Sequence, residues 1–422
     1  MTTARPASPY ASIAIVGLLF FIMGFFTWIN GPLILFAKVA FNVSDAFAFL
    51  IPSAFYISYF CLALPSSFIL KLTGMKKGLA LSLLIMAIGA AIFGQFTNDR
   101  SYVGAVSGIF IIGGGLALLQ TAVNPYISIL GPIDGAARRI ALMGICNKVA
   151  GALATYGLAK VVLHGMEDFS TQIERVLPAQ KEILLQEFAG RIHGPYMAIA
   201  GVLAVLSVAL LFSPLPEISP EKANASASDE RNRDSIFAFP HVWLGALCIF
   251  VYVGAEVMAG DAIGIYGKSL GLSLDYAKYF TIGTLACMLA GYLLGLVLIP
   301  KYISQEKYLS FSACLGIVFS LCAMLTGGYV SVAFVAALGF ANAIMWPAIF
   351  PLAIKGLGKF TEKGAALLIM GIVGGAAVPQ LFAHLKEFFD FQVVFAGLMI
   401  ACYLYILFFA LRGHRVGQGA AR

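Results

Sequence analysis

Residues 214–236 read PLPEISPEKANASASDERNRDSI, a polar stretch rich in Ala, Ser, Asn and mixed charge, which has the composition of a flexible tether. Apolar runs about 20 residues long, the length that crosses a bilayer, lie on both sides of it. Before it they fall near 11–38, 46–70, 78–96, 102–130, 140–163 and 195–213. After it they fall near 239–267, 275–299, 308–326, 329–354, 364–385 and 391–411. The tether therefore parts six spans from six. None of the runs alternates with period two as a barrel strand does, and helices are the other structure that satisfies its own backbone in lipid.

The 422 residues are 60% apolar and only 11% charged, against about 45–50% and roughly 25% in a soluble domain. That composition excludes soluble enzymes, disordered chains and disulfide scaffolds. The net charge of +7 comes from basic residues scattered between apolar runs, which make no phosphate-binding face, so no nucleic-acid partner is expected. Lys and Arg crowd the short segments on the side of the two chain ends: Arg5, Lys71, Lys76, Lys77, Arg138, Arg139, Lys301, Lys307, Lys355, Lys359, Lys363, Arg412, Arg415 and Arg422. Short segments of the opposite side hold only Lys38, Arg100, Lys268, Lys278 and Lys386. The positive-inside rule puts both ends in the cytoplasm.

The expected architecture is an all-α membrane protein of twelve transmembrane helices in two pseudo-symmetric bundles, residues 11–213 and 237–411. A monomer in the cell (inner) membrane is expected, with the lipid bilayer as its solvent. Ala141-Leu-Met-Gly-Ile145 recurs as Leu368-Ile-Met-Gly-Ile372, each opening the fifth helix of its half. Duplicated halves around a midplane site are a transporter feature. The loop from His164 to His193 reads as a surface helix pair over the outer mouth. The first span is too long for a signal-peptide core and reads as a permanent helix. All seven Cys fall inside spans and are expected to be buried thiols, with no CxxC among them.

A charge at mid-bilayer costs about 2.5–3.5 kcal/mol on insertion scales. Lys38, Lys160 and Lys268 are near enough to span ends to snorkel; Lys148, Glu256 and Asp261 are not. Glu256 lies mid-span in Val251-Tyr-Val-Gly-Ala-Glu-Val-Met-Ala-Gly-Asp261. Asp261 is about 7.5 Å further along and about 140° around the helix, so the two acids share a ligand only if the helix breaks. Gly254 and Gly260 make a break feasible. Lys148 can bridge to either acid, and the acids can bind and release a cation. No cofactor is expected.

Uncharged polar groups gather at compatible depths. Gln120 and Asn124 share a face of span four, Asn147 enters span five, Trp28 and Asn30 lie in span one, and Asn342 and Trp346 in span ten. Amides offer paired donors and acceptors, and indoles offer flat apolar faces, which together suit a sugar ring. The five His have no ligand spacing and no nucleophile–base set appears, so no enzyme is expected.

Gln120-Thr-Ala-Val-Asn-Pro-Tyr126 with Leu130-Gly-Pro132, Ser53-Ala-Phe-Tyr56, Tyr252-Val-Gly-Ala255 and Trp346-Pro-Ala-Ile-Phe350 together resemble the fucose permease / glucose–galactose permease family of sugar–cation symporters in the major facilitator superfamily. The resemblance spans the chain and implies two bundles that rock about a hexose site. The span-one acid of the fucose permease is Gly31 here, after Asn30, and its span-four acid is Gln120. Glu256 stands where that branch has Gln, and is similar to the Glu of the glucose–galactose branch. Asn147 matches an Asn that contacts sugar in the family, while Lys148 replaces a small polar residue. The resemblance thus implies uptake of a neutral monosaccharide, glucose- or galactose-like, with coupling moved to span seven; loss of the two acids expected to move protons favours Na⁺ near Glu256, with H⁺ the alternative. A cation-driven exporter of amphipathic compounds on the same scaffold is the alternative, and a sugar receptor that moves nothing is a further one.

Overall fold

The structure is a computed structural model that describes residues 9–129, 136–215, 235–299, 301–357 and 360–417. The tether, from 216 to 234, falls outside the described residues, as do residues 130–135 of the loop that contains Gly131-Pro132. Among the described residues, eleven helical stretches are long and apolar enough to cross a bilayer. The remaining span, Ala136–Val161, carries Asn147, Lys148 and Lys160 and qualifies only together with Met166–Arg175, which follows it at a 42° bend. Both segments of the 164–193 connection are helical, Met166–Arg175 and Pro178–Gly190, so the expected surface helix pair is present.

Spans one, seven and ten are broken, and the breaks have identifiable causes. Span one runs Pro9–Trp28 and resumes as Asn30–Ala40. Pro32 has no N–H to give the Trp28 carbonyl, four residues back; the Thr155 hydroxyl of span five donates to it instead, at 3.1 Å. The Asn30 side chain donates to the Thr27 carbonyl at 3.2 Å. Span seven runs Pro240–Gly260 and resumes as Ile263–Ser269. Hydroxyls of Thr281 and Thr284, both on span eight, donate to the Gly260 and Ala259 carbonyls, each at 2.8 Å. Span ten breaks between Asn342 and Met345, where Pro347 cannot bond the Ala343 carbonyl. Neighbouring side chains thus replace the backbone partners that a break in lipid would otherwise strand.

Span five packs on span one, and span eleven on span seven. A Cβ on Gly24 would overlap the Asn147 carbonyl, and one on Gly374 would overlap the Phe250 carbonyl. The recurring pentapeptide sits in these contacts: Met143 lies against Gly17, and Gly371 against the Ala246 carbonyl. The thiols differ from expectation. Cys248 and Cys402 are buried, but Cys61 and Cys314 are exposed on outward faces of their helices, because position along a span does not say which way a helical side chain points.

The far side, where odd-numbered spans end, is clamped. Asp45 pairs with both Lys38 of span one and Lys386 of span eleven. Gln380 donates to the Ala46 carbonyl and to Ser53, each at 3.2 Å. Glu167 of the connecting helix pair accepts from the backbone N–H of Leu274 at 2.7 Å, and Lys278 donates to the Leu163 carbonyl at 3.0 Å. Each of these last contacts ties the first six spans to the last six. Asp45→Asn leaves two ammonium groups without their shared anion and loosens the clamp. In a background without the seven native Cys, labelling of Ser53→Cys by a water-soluble maleimide is expected to rise several-fold. Unchanged labelling would show that Asp45 does not hold this side shut.

Candidate functional site

Where spans one, five and seven meet, glycines allow close approach. The Trp28 indole is held between Gly151 of span five and Gly260 of span seven, whose Cβ atoms would come within 2.6 and 2.5 Å of its ring. Its Nε1 donates to the Asn147 side-chain oxygen at 3.1 Å. The next residue, Lys148, sets its ammonium 4.1 Å from the centre of the same ring, a cation–π contact strengthened by desolvation. The ammonium also donates to Glu256 Oε1 at 3.3 Å. Lys148 is buried and Glu256 partly so. The pair joins the fifth span to the seventh, and so one half of the molecule to the other. Of the two acids open to Lys148, it bonds Glu256.

Asp261 lies beyond the pair, at the break of span seven, with 1% of its surface exposed. Its Oδ2 accepts from the Tyr56 hydroxyl of span two at 3.2 Å. Its Oδ1 has no hydrogen-bond partner among the described residues. Span one touches it directly: a Cβ on Gly31 would lie 3.1 Å from the Asp261 Cα. The break expected from Gly260 thus exists and sets the two acids in different surroundings.

The remaining candidates lie on spans one, four and ten. Gln120 is half-buried with its side-chain oxygen unpartnered among the described residues. Asn342 is fully buried; its oxygen accepts from Tyr403 at 2.9 Å while its Nδ2 has no partner among the described residues. Trp346 is half-buried beside Tyr252, ring centres 6.5 Å apart, and Tyr252 is one turn from Glu256 on the same helix. The Asn124 side chain lies outside the described residues. Asn30 is turned back on its own helix break and Trp28 is covered by Lys148 and two glycines, so in this conformation neither presents a free surface. Trp346 does.

Sequence reasoning had not picked out Tyr56, Tyr252, Tyr292 or Tyr403 as site residues. The last three are near enough to Glu256 for its charge to act on them, and Tyr56 holds Asp261. Tyrosines in apolar runs read as packing; only the pairing of each with a buried acid or amide distinguishes them. Thr281 and Thr284 were missed for the same reason, since their service to the span-seven break depends on a neighbour in space. Buried polar atoms are hydrogen-bonded in the great majority of cases. Gln120, Asp261 and Asn342 each keep an unpartnered atom among the described residues, as do Thr97, His193 and Tyr196 elsewhere.

The sequence pattern of the Major Facilitator Superfamily matches residues 16–379. The glucose/galactose transporter of Brucella abortus (strain 9-941) is 31% identical over 405 residues, covering 94% of this chain and 93% of that protein. The L-fucose-proton symporter of Escherichia coli (strain K12) is 25% identical over 373 residues, 86% of this chain and 85% of that one. The crystal structure of the Escherichia coli fucose:proton symporter, FucP, superimposes with a TM-score of 0.73 at 24% identity, over 96% of this chain and 99% of that one.

Proposed function

The chain belongs to the Major Facilitator Superfamily and, within it, to the fucose permease / glucose–galactose permease family, and from that premise we propose that it carries a neutral hexose into the cell together with a proton. It is a multi-pass membrane protein with no enzyme among these relatives. In the proposal it sits in the cell (inner) membrane with both ends cytoplasmic, and residues 11–213 and 237–411 rock as two units about the midplane. The supporting observation is the buried Lys148–Glu256 pair between the two halves, flanked by polar atoms that the protein leaves unpartnered.

Gln120, Asn147 and Asn342 hold sugar hydroxyls in this reading, and Trp346 receives the apolar face of the ring. Asn124, Asn30 and Trp28 join them in conformations that uncover these groups. Lys148 keeps Glu256 neutralised, so that the sugar meets a site without net charge from this pair. The absence of the fucose permease's span-one and span-four acids favoured Na⁺ near Glu256. A relative of 25% identity named as a proton symporter favours H⁺. The amphipathic-compound exporter is disfavoured by the density of amides at the centre.

Counterflow in proteoliposomes tests the reading. Vesicles loaded with unlabelled glucose or galactose are expected to accumulate the labelled sugar transiently, and vesicles loaded with a disaccharide are not. Absence of counterflow with every neutral hexose would contradict it.

A further inference from the structure

Two carboxylates and one ammonium occupy the core of the molecule, and the ammonium is committed. Lys148 bonds Glu256 and stacks on Trp28. Asp261 is left with neutral donors only, the Tyr56 hydroxyl at 3.2 Å and the backbone N–H of Gly31 close by, and its Oδ1 makes no full hydrogen bond among the described residues. The charged or titratable groups that act on it are Tyr56 from span two, Glu256 from its own span and Lys148 from span five. Span one meets it through Gly31, and Thr281 of span eight contacts that glycine, so neither brings a charge.

A metal ion is a poor fit at this place. Hard cations such as Na⁺ need several oxygen ligands at once. The carbonyls at the breaks of spans one and seven are already engaged: Thr27 by Asn30, Trp28 by Thr155, Ala259 by Thr284 and Gly260 by Thr281. Each of these carbonyls has one lone pair already taken, whereas the free carboxylate oxygen is by itself enough for a proton.

We propose that Asp261 takes up the coupling proton, and that the far side of the molecule closes only over its neutral form. This deepens the symport reading above and rests on it. With the far side open, water reaches the break of span seven. A hydronium ion gives its proton to Oδ1 of the carboxylate; an O–H bond forms, water leaves, and Asp261 becomes neutral. Spans one, two and seven then pack together through Gly31, Tyr56 and Asp261 as they do here. An ionised Asp261 in that dry contact is an unpaired buried charge, which is costly, and its ionisation therefore favours the open form. The proton thus binds the two facing states with different affinity, the condition for a ligand to shift between them. Lys148–Glu256 stays paired throughout the step.

The test reads access and proton movement separately. In a background without the native Cys, Ser53→Cys reports far-side access by maleimide labelling with no sugar present. Labelling rates, each divided by the rate for the same thiol in denatured protein at that pH to remove the rise in thiolate, are expected to be several-fold higher at pH 8.5 than at pH 6.0. Asp261→Asn, a fixed mimic of the neutral acid, is expected to label slowly at both. Tyr56→Phe removes only the hydroxyl that favours the carboxylate and is expected to move the midpoint of the labelling curve to higher pH. That variant keeps the proposal decidable if Asp261→Asn does not fold. In proteoliposomes with an enclosed pH dye, the proton flux evoked by hexose is expected to fall at least tenfold in Asp261→Asn, and hexose exchange much less. Labelling by Asp261→Asn that still follows pH as in the parent, or an unchanged proton flux per sugar, would overturn the assignment. Because labelling needs no sugar, a parent that exchanges no hexose would refute the transport reading while the pH response still decides Asp261.

Discussion

Glu256→Gln and Lys148→Gln, made singly, should each slow hexose exchange by one to two orders of magnitude, and the double substitution should restore most of it. Each single change strands the opposite charge in the core. Breaking a buried pair from one side typically costs about 3–5 kcal/mol, whereas replacing both partners can be nearly neutral. Glu256 is partly exposed, so the cost belongs at or below the lower end of that range. Lys148 has the Trp28 ring as second partner, at 4.1 Å, which softens the loss of Glu256 but not the converse. A double-mutant cycle on exchange rates, with expression and monodispersity of all four proteins checked, gives the interaction directly. Rates that fall additively in the double variant would show that the two groups act independently, and the bridge would lose its place in the account.

Gly24→Ala should disable the protein through geometry alone. Its new methyl would stand 2.6 Å from the Asn147 Cα and carbonyl carbon, closer than any real contact, and the obstacle is backbone that cannot rotate away. Spans one and five must then separate, and the separation carries Asn147 and Lys148 away from Trp28 and Glu256. Overpacking in a close-packed interior costs about 1–3 kcal/mol when side chains can adjust; a rigid backbone neighbour puts this case at the top of that range or beyond. Gly157→Ala, further along span five, is the matched control. Nothing lies within 4 Å of its Cβ position, and in a helix Ala is favoured over Gly by about 1 kcal/mol. Thermal unfolding in detergent, read beside hexose exchange, should show Gly24→Ala well below the parent and Gly157→Ala at or above it. Equal stability of the two would mean that spans one and five do not approach as described.

The spans were legible because bilayer thickness and backbone satisfaction leave few alternatives, and span twelve, Phe391–Leu411, coincides with its apolar run residue for residue. Pro32 and Pro347 lay in the sequence as breakers, yet a proline does not say whether a span kinks, breaks or is repaired. Here Thr155, on another helix, repairs the break in span one. The three ionisable residues of the core stood out by the cost of burying them. Which acid Lys148 bonds was not legible, because depth along a helix and angle about it leave the relative rotation of spans five and seven undetermined. Tyr56, Thr281 and Thr284 carried no signal of their own, and their roles follow from a break they do not belong to. Asp45 reads as an ordinary helix-start residue, with Ser44 capping before it; its second partner, Lys386, is more than three hundred residues away.

The central claim is that passage of sugar is tied to a proton exchanged at an acid of span seven. Proteoliposomes prepared without Na⁺, with a pH dye enclosed and an inward hexose gradient imposed, measure it directly. The account predicts acidification of the lumen that scales with sugar entry and is the same when Na⁺ is added. Hexose entry with no pH change, or a pH-silent entry that appears only with Na⁺, would contradict it.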